Sequence, residues 1–437
     1  MRTKYNKRRF KTLIMIVILL LCMSIGYSYL LTTLNIEGTS NIKANSWDVH
    51  RENVDVKSGS VTGDQVPIDA HVLGDTTQVE YSVILKNPGE YYEFTVDAKN
   101  SGSLDAMVSI TDTKFYESNG VTQINLPNYL EYEFLYSNGV RIEPNQLLAA
   151  NSSRTIKVKI KFKDDLDESE LPTTDKTIVI RQSITYIQAD ENAVAAPNSR
   201  FEQDSWDDIN DNILDGHGDY YNIGDTKTVD MDSFGTHTVR LVNKSIPSEC
   251  FDADFSKTAC GYVVEFEDII ITQKMNQTDY TNGGWPVCIV RTYLSNDIYN
   301  ALPETLRNVI IDTTVVSGHG LNDSSNFTST DKLYLLSTHE VWEDVDGDTS
   351  SGIDYYDTAY HNTRQLDYYN QKGVTISNYA DTVKNGENPL SYWWLRSTTW
   401  RRSDHFDVNI NGSMNAYYAV VPYGVSPAFR IGLNPKY

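Results

Sequence analysis

Basic charge is scarce in this chain and unevenly spread. Over 437 residues there are 37 Lys and Arg against 59 Asp and Glu, a net charge of −22. Arg2, Lys4, Lys7, Arg8, Arg9 and Lys11 crowd the first eleven residues, which leaves 31 bases against the 59 acids elsewhere. Such a body repels phosphate backbones, so no nucleic-acid partner is expected. Cysteine is scarcer still: there are four, none after Cys288 and none in a Cys-x-x-Cys pattern. That removes the support for zinc clusters or thioredoxin chemistry. His-Glu-x-x-His, Gly-x-Ser-x-Gly and the phosphate loop are absent too. The eight histidines are scattered, and His319 sits between Gly318 and Gly320, which suits a turn more than a base. The expectation is a protein that is not an enzyme.

What the chain does hold is one long apolar run. From Thr12 to Ile36 there is no charged residue, and Leu13 to Met23 is strongly apolar. About 20 apolar residues span a bilayer, and the basic cluster before them sets the N-terminus inside. The expected order is therefore a cytoplasmic basic tail (1–11), a transmembrane signal anchor (12–36) and an exported, extracellular remainder. The rival is a signal peptide cleaved after Ser28, leaving a secreted protein. Tyr is abundant at 29, with 7 Trp; this fits aromatic-rich β-structure or a recognition surface.

Residues 38–188 read as all-β. Val79, Tyr81, Val83 and Leu85 alternate with polar residues, as do Tyr92, Phe94 and Val96, and Leu130, Tyr132, Phe134 and Tyr136. Asn138-Gly139 marks a hairpin turn. Ile156, Val158, Ile160 and Phe162 alternate with Lys157, Lys159, Lys161 and Lys163, a strand with one wet basic face that suits a sheet edge. A last strand carries Ile178, Ile180, Ile184 and Tyr186. Strands separated by turns in this way imply a β-sandwich. Residues 189–204 lack periodicity and read as a linker. Residues 205–437 mix short helices and strands. Capping boxes are expected at Ser205/Asp208 and Ser337/Glu340, strands at Thr236–Val242, Gly261–Phe266 and Leu333–Leu336, a helix at Thr292–Leu302, and a hairpin turning at Asn411-Gly412.

Two resemblances follow from these residues. Pro88-Gly89-Glu90, Phe94, Val96 and Asn100 to Ala106 resemble camelysin-type surface and biofilm-fibre proteins and bacterial immunoglobulin-like modules. Lys332 to Ser337 with Glu340-Val-Trp342, Tyr392-Trp-Trp-Leu-Arg-Ser397, and Gly424-Val-Ser-Pro-Ala-Phe-Arg-Ile431 resemble a bacterial family of uncharacterised domains. Their closing pattern is similar to C-type-lectin-like folds, formylglycine-generating enzymes and phage receptor-binding domains. The resemblance implies a C-type-lectin-like α+β domain over 205–437, with a versatile loop surface and no stated reaction. Formylglycine generation needs a late cysteine pair, which this chain does not have.

The candidate ligand contacts are Trp394, Trp400, Arg401, Arg402, Asp404 and His405, in and beside the loop Thr398–His405. Trp393 and Trp394 are neighbours, so in a strand one faces the core and the other is partly exposed. Arg396 and Arg430 are expected to pair with acids inside the fold. Asp344, Asp346, Asp348 and Asp354 are the candidate calcium ligands, the one cofactor considered. Thr349 and Tyr355 stand where an EF-hand has Gly and Glu, so a plain acidic loop is the alternative. Cys250 and Cys260 are expected to be bridged, with Cys288 left free or replacing one of them. The expected function is a surface protein that presents a recognition domain on a sandwich stalk to a glycan, cell-wall polymer or surface protein. A fibre component of surface or biofilm and an unrecognised hydrolase are the alternatives.

Overall fold

Alternating apolar and polar residues put every second side chain on one face of a strand, and this rule builds the first half of the computed structural model. It describes residues 11, 14–18, 45–74, 77–172, 176–343, 345, 357–386 and 391–432. The fold is mostly β-sheet with few helices.

The first ten strands are β1 (Val49–Val56), β2 (Ile68–Val72), β3 (Gln78–Val83), β4 (Tyr91–Asn100), β5 (Ala106–Tyr116), β6 (Gln123–Ile124), β7 (Leu130–Tyr136), β8 (Leu147–Leu148), β9 (Ser152–Phe162) and β10 (Ile178–Gln188). One sheet runs β1-β4-β9-β7; the other runs β2-β3-β10-β5-β6, with β8 also on β5. Their inner faces share one core, in which Tyr92, Phe94 and Val96 from β4 and Val158 and Ile160 from β9 meet Tyr81 and Ile180 from the other sheet. The expected turn forms where Gly139 takes φ 85° and the Tyr136 amide donates to the Val140 carbonyl. The basic strand is not an edge. β9 lies between β4 and β7, and its lysines face acids on both neighbours: Lys157 is 2.9 Å from Glu133, and Lys159 is 3.3 Å from Glu93. Cross-strand charge pairing explains the lysine row better than edge protection does.

The segment 189–204 is fastened along its length. Val194 bridges Gln146, and Phe201 is fully buried in the second core. Asp204, fully buried, gathers Arg141 from the first half (2.6 Å), Arg200 (3.1 Å) and the Tyr221 hydroxyl (2.8 Å).

The second half has β11 (Thr226–Asp230), β12 (Thr236–Asn243), β13 (Val263–Phe266), β14 (Ile271–Lys274), β15 (Thr313–Ser317), β16 (Phe327–Asp331), β17 (Trp393–Thr398), β18 (Asp404–Val408), β19 (Met414–Tyr418), β20 (Pro422–Val425) and β21 (Ala428–Arg430). They form sheets ordered β11-β12-β13-β21 and β14-β20-β17-β18-β19, plus the pair β15-β16. Both expected capping boxes are present, on the helices Trp206–Leu214 and Thr338–Val341. Residues 289–301 are helical and stop before Pro303, passing through a π turn at Leu294–Ile298. Leu333–Leu336 is not a regular strand. It is held by a single bridge, Tyr334 to Ala428, and by the Arg396 amide donating to the Leu336 carbonyl. Cys250 and Cys260 form a disulfide, and Cys288 is free and buried.

The membrane anchor requires correction. Among the described residues no helix is long and apolar enough to cross a membrane. Of the expected span 12–36 only residues 14–18 are described, as helix. This overturns the single-pass membrane localisation; the rest of that span and nearly all of the basic tail lie outside the described residues.

Candidate functional site

The five-stranded sheet carries the most distinctive surface. Register fixes which side chains share a face: Gln273 opposes Tyr423, Trp394 opposes Asp407, Asp407 opposes Asn415, and His405 opposes Tyr417. Three tyrosines line up above this face, two of them stacked and the third tilted against the pair. Tyr392 and Tyr423 lie 4.7 Å apart at 14°, and Tyr423 and Tyr417 lie 5.7 Å apart at 30°. Trp394 underlies Tyr423 at 4.8 Å. Tyr417 is 42% exposed and Tyr418, packed edge-on against it, is 49% exposed; Tyr392 and Tyr423 are half-buried.

Beside the rings Asp407 is wholly buried, with the Asn415 amide donating to its oxygens at 3.0 and 3.3 Å. Burial, with the charge of Asp404 adding to it, pushes this carboxyl up to about 7. It is therefore poised between donor and acceptor near neutral pH. Burial and then the charge of Asp407 also raise the Tyr423 phenol, which stays protonated. The β18–β19 hairpin that sets this register turns at Gly412, where φ is 91° and a Cβ would strike the Tyr379 carbonyl.

The six residues expected at the site divide. Trp394 is fully buried, as is Trp393, so the expected exposure of one of the pair does not occur. Each indole is anchored through its N–H, Trp393 to the Thr382 carbonyl (3.1 Å) and Trp394 to the Gln273 carbonyl (3.0 Å). β17 lies inside its sheet between β20 and β18, with Tyr423 packed on Trp394 and both rings fully buried, so neither keeps a wet side. Asp404 and His405 are also buried. Trp400, 42% exposed, stands 6.4 Å from His319 on a neighbouring loop, and Arg401 and Arg402 are exposed with it. That loop is pinned by the Thr281 amide donating to the Arg402 carbonyl at 2.9 Å. Only Trp394 and His405 therefore join the tyrosine face, and they do so from beneath it.

His405 Nε2 lies 4.0 Å from the Cys288 sulfur, a pairing that invites comparison with a thiol nucleophile and its base. Both groups are fully buried. Burial pushes the thiol well above its ordinary value and the imidazole down to about 3. An activated pair needs the opposite shifts and an open approach. Arg396 is structural, as expected: it forms a two-point pair with Glu340 at 2.6 and 2.7 Å, both groups wholly buried. Arg430 donates to the Cys260 carbonyl at 2.7 Å.

Asp344, Asp346, Asp348 and Asp354 lie outside the described residues. Among the described residues no three His, Cys, Asp or Glu side chains converge to hold a metal. The sequence reading passed over Tyr392, Tyr417, Tyr423 and Asp407. The signal that could have found them was the Asn411-Gly412 hairpin, whose register sets Asp407 against Asn415 and His405 against Tyr417.

No curated protein and no solved structure matches the chain. A domain of unknown function, DUF6273, is found at residues 263–433, from the start of β13 to beyond β21, which agrees with an uncharacterised domain family and confirms no lectin-like or formylglycine-generating identity.

Proposed function

We propose that the chain is a non-catalytic recognition protein that binds a neutral saccharide chain across Tyr392, Tyr423 and Tyr417. The observation that carries this reading is the stacked tyrosine row with a buried carboxyl and amides set beside it. The exposed Tyr417 at the end of the row and the ring edges beside it offer apolar contact area to the C–H groups of sugars, and nearby polar groups orient the hydroxyls. The polar groups beside the rings, Gln273, Asn415 and Asp407, include no base, which disfavours an anionic ligand. The inert environment of Cys288 and His405 favours binding over hydrolysis.

In this reading the first half is an immunoglobulin-like sandwich acting as a spacer, and the second is a C-type-lectin-like body bearing the site. Two antiparallel sheets around one core support the former. The short-stranded sheets, with exposed aromatics on β19 and on the loop that holds Trp400, support the latter. A panel of soluble glucan, mannan and chito-oligosaccharides should yield at least one ligand, with Tyr423→Ala and Tyr417→Ala each weakening it about tenfold, the loss of one stacked ring. Equal binding by wild type and both variants, or no binding to any saccharide, would refute the proposal.

A further inference from the structure

We infer that a second site, separate from the tyrosine face, takes an organic ammonium group: a primary amine on a short aliphatic stem. A cavity of about 480 Å³ opens beside the loop closed by Cys250–Cys260, between that loop, the helix Thr338–Val341 and the turn Tyr360–Asn362. Its walls are aromatic. Phe255 is nearly buried, and His339 meets Tyr360 edge-on with centroids 6.3 Å apart. At its mouth stand two exposed carboxylates, Glu249 and Glu343. Neither lies within ion-pair distance of a base among the described residues. The one guanidinium in the lining, Arg364, is already committed to Asp367 (2.7 Å), Asn243 (3.0 Å) and the Ala259 carbonyl (3.2 Å).

His339 adds the third component. Its Nδ1 is shut away from solvent, with no hydrogen-bond partner among the described residues, so the ring meets the cavity through its other atoms. Burial holds the imidazole below its ordinary value, so it is neutral at physiological pH and sets no positive charge against a cation. Aromatic walls, exposed carboxylates and a neutral imidazole together match an ammonium, which offers three N–H donors, a positive charge and a slim apolar stem. A carboxylate or phosphate ligand would meet like charge at the mouth. A bare metal ion would find no three converging ligands among the described residues.

The amine could belong to a free diamine or to a lysine side chain, and the test separates them. The full-length protein is titrated calorimetrically at low ionic strength with putrescine and with Nα-acetyl-lysine amide. Saturable one-to-one binding is expected, weakened at least tenfold in Glu249→Gln/Glu343→Gln, a pair of surface changes that leave the melting temperature unmoved. Binding of putrescine alone supports a free amine; binding of both supports a peptide lysine as well. The His339 and His361 ring proton signals should shift during the titration, and binding by Tyr423→Ala should be unchanged. No saturable binding of either amine, or undiminished binding by the double glutamine variant, would overturn the inference.

Discussion

The two halves of this molecule bury different things. Among the described residues of the sandwich, Arg51 is the one charged side chain in the interior; pairs such as Lys157–Glu133 and Lys159–Glu93 lie on an outer sheet face. The second half encloses Glu265, Lys384, Arg240, Glu340, Arg396 and Arg430. Glu265 accepts from Lys384 at 2.8 Å, Arg240 at 2.6 Å and the Tyr369 hydroxyl at 3.0 Å. Burial alone would raise its carboxyl, yet Lys384 and Arg240 hold it below its ordinary value. The difference follows from chain economy. A sandwich strand satisfies its backbone on its neighbours and packs by alternation, whereas a body of short strands and loops needs side chains to tie distant segments together. Arg396 illustrates this: one guanidinium reaches Glu340, the Val316 carbonyl (3.0 Å) and the Leu335 carbonyl (2.9 Å).

The sharpest way to break the comparison is to remove one partner of the enclosed pair. Glu340→Ala strands Arg396 in the interior and should cost about 3–5 kcal/mol in chemical denaturation, whereas the joint change Glu340→Leu/Arg396→Met should recover much of that loss. If the single change costs under about 1 kcal/mol, the ion pairs are not what ties this half together.

Next in size is a pH effect that belongs to the second half. Asp407 has a folded value of about 7 against an ordinary 3.8. The folded state therefore holds this proton more tightly than the unfolded chain does. The resulting stabilisation is complete below about pH 4, declines as pH rises toward 7 and is gone above it, an amount on the order of 4 kcal/mol. Thermal melts of wild type and Asp407→Asn should diverge across that window, with wild type losing more stability as the pH climbs. Parallel curves would place the carboxyl in a wetter setting than its burial implies.

Smaller effects mark the sandwich. Ile160→Val removes one buried methylene and should cost about 1 kcal/mol. Lys159→Ala should cost below about 1 kcal/mol, because its pair with Glu93 is partly solvated and screened by salt. A loss above about 2 kcal/mol at Lys159 would mean that the charge ladder, and not the alternation beneath it, holds the sheet.

These differences also explain what could be read from the chain. The strands around Phe94, Val158 and Ile180 were legible because period-two burial is a local signal, and the capping boxes at Ser205 and Ser337 were legible because capping is a matter of three residues. The edge assignment of β9 failed because lysines on an outer face look the same whether solvent or cross-strand glutamates receive them. Leu333–Leu336 has a strand-like composition but lies where only one bridge forms. The site was half visible. Tyr392-Trp393-Trp394 is visible as a motif, but the burial of Trp394 depends on Tyr423 from β20 and the Gln273 carbonyl from β14, far away in sequence. Tyr423 became part of a stacked row only through its pairing across the sheet, and His339 faces a cavity whose walls come from three separated segments.

The central claim is that the tyrosine row is where this protein meets its ligand. A co-crystal structure with the tightest-binding oligosaccharide of the panel tests it most directly. The account expects sugar rings seated against Tyr417 and along the exposed edges of Tyr423 and Tyr392, with a hydroxyl directed toward Asn415. Sugar bound at Trp400 and Arg401 with the tyrosine face bare would contradict it.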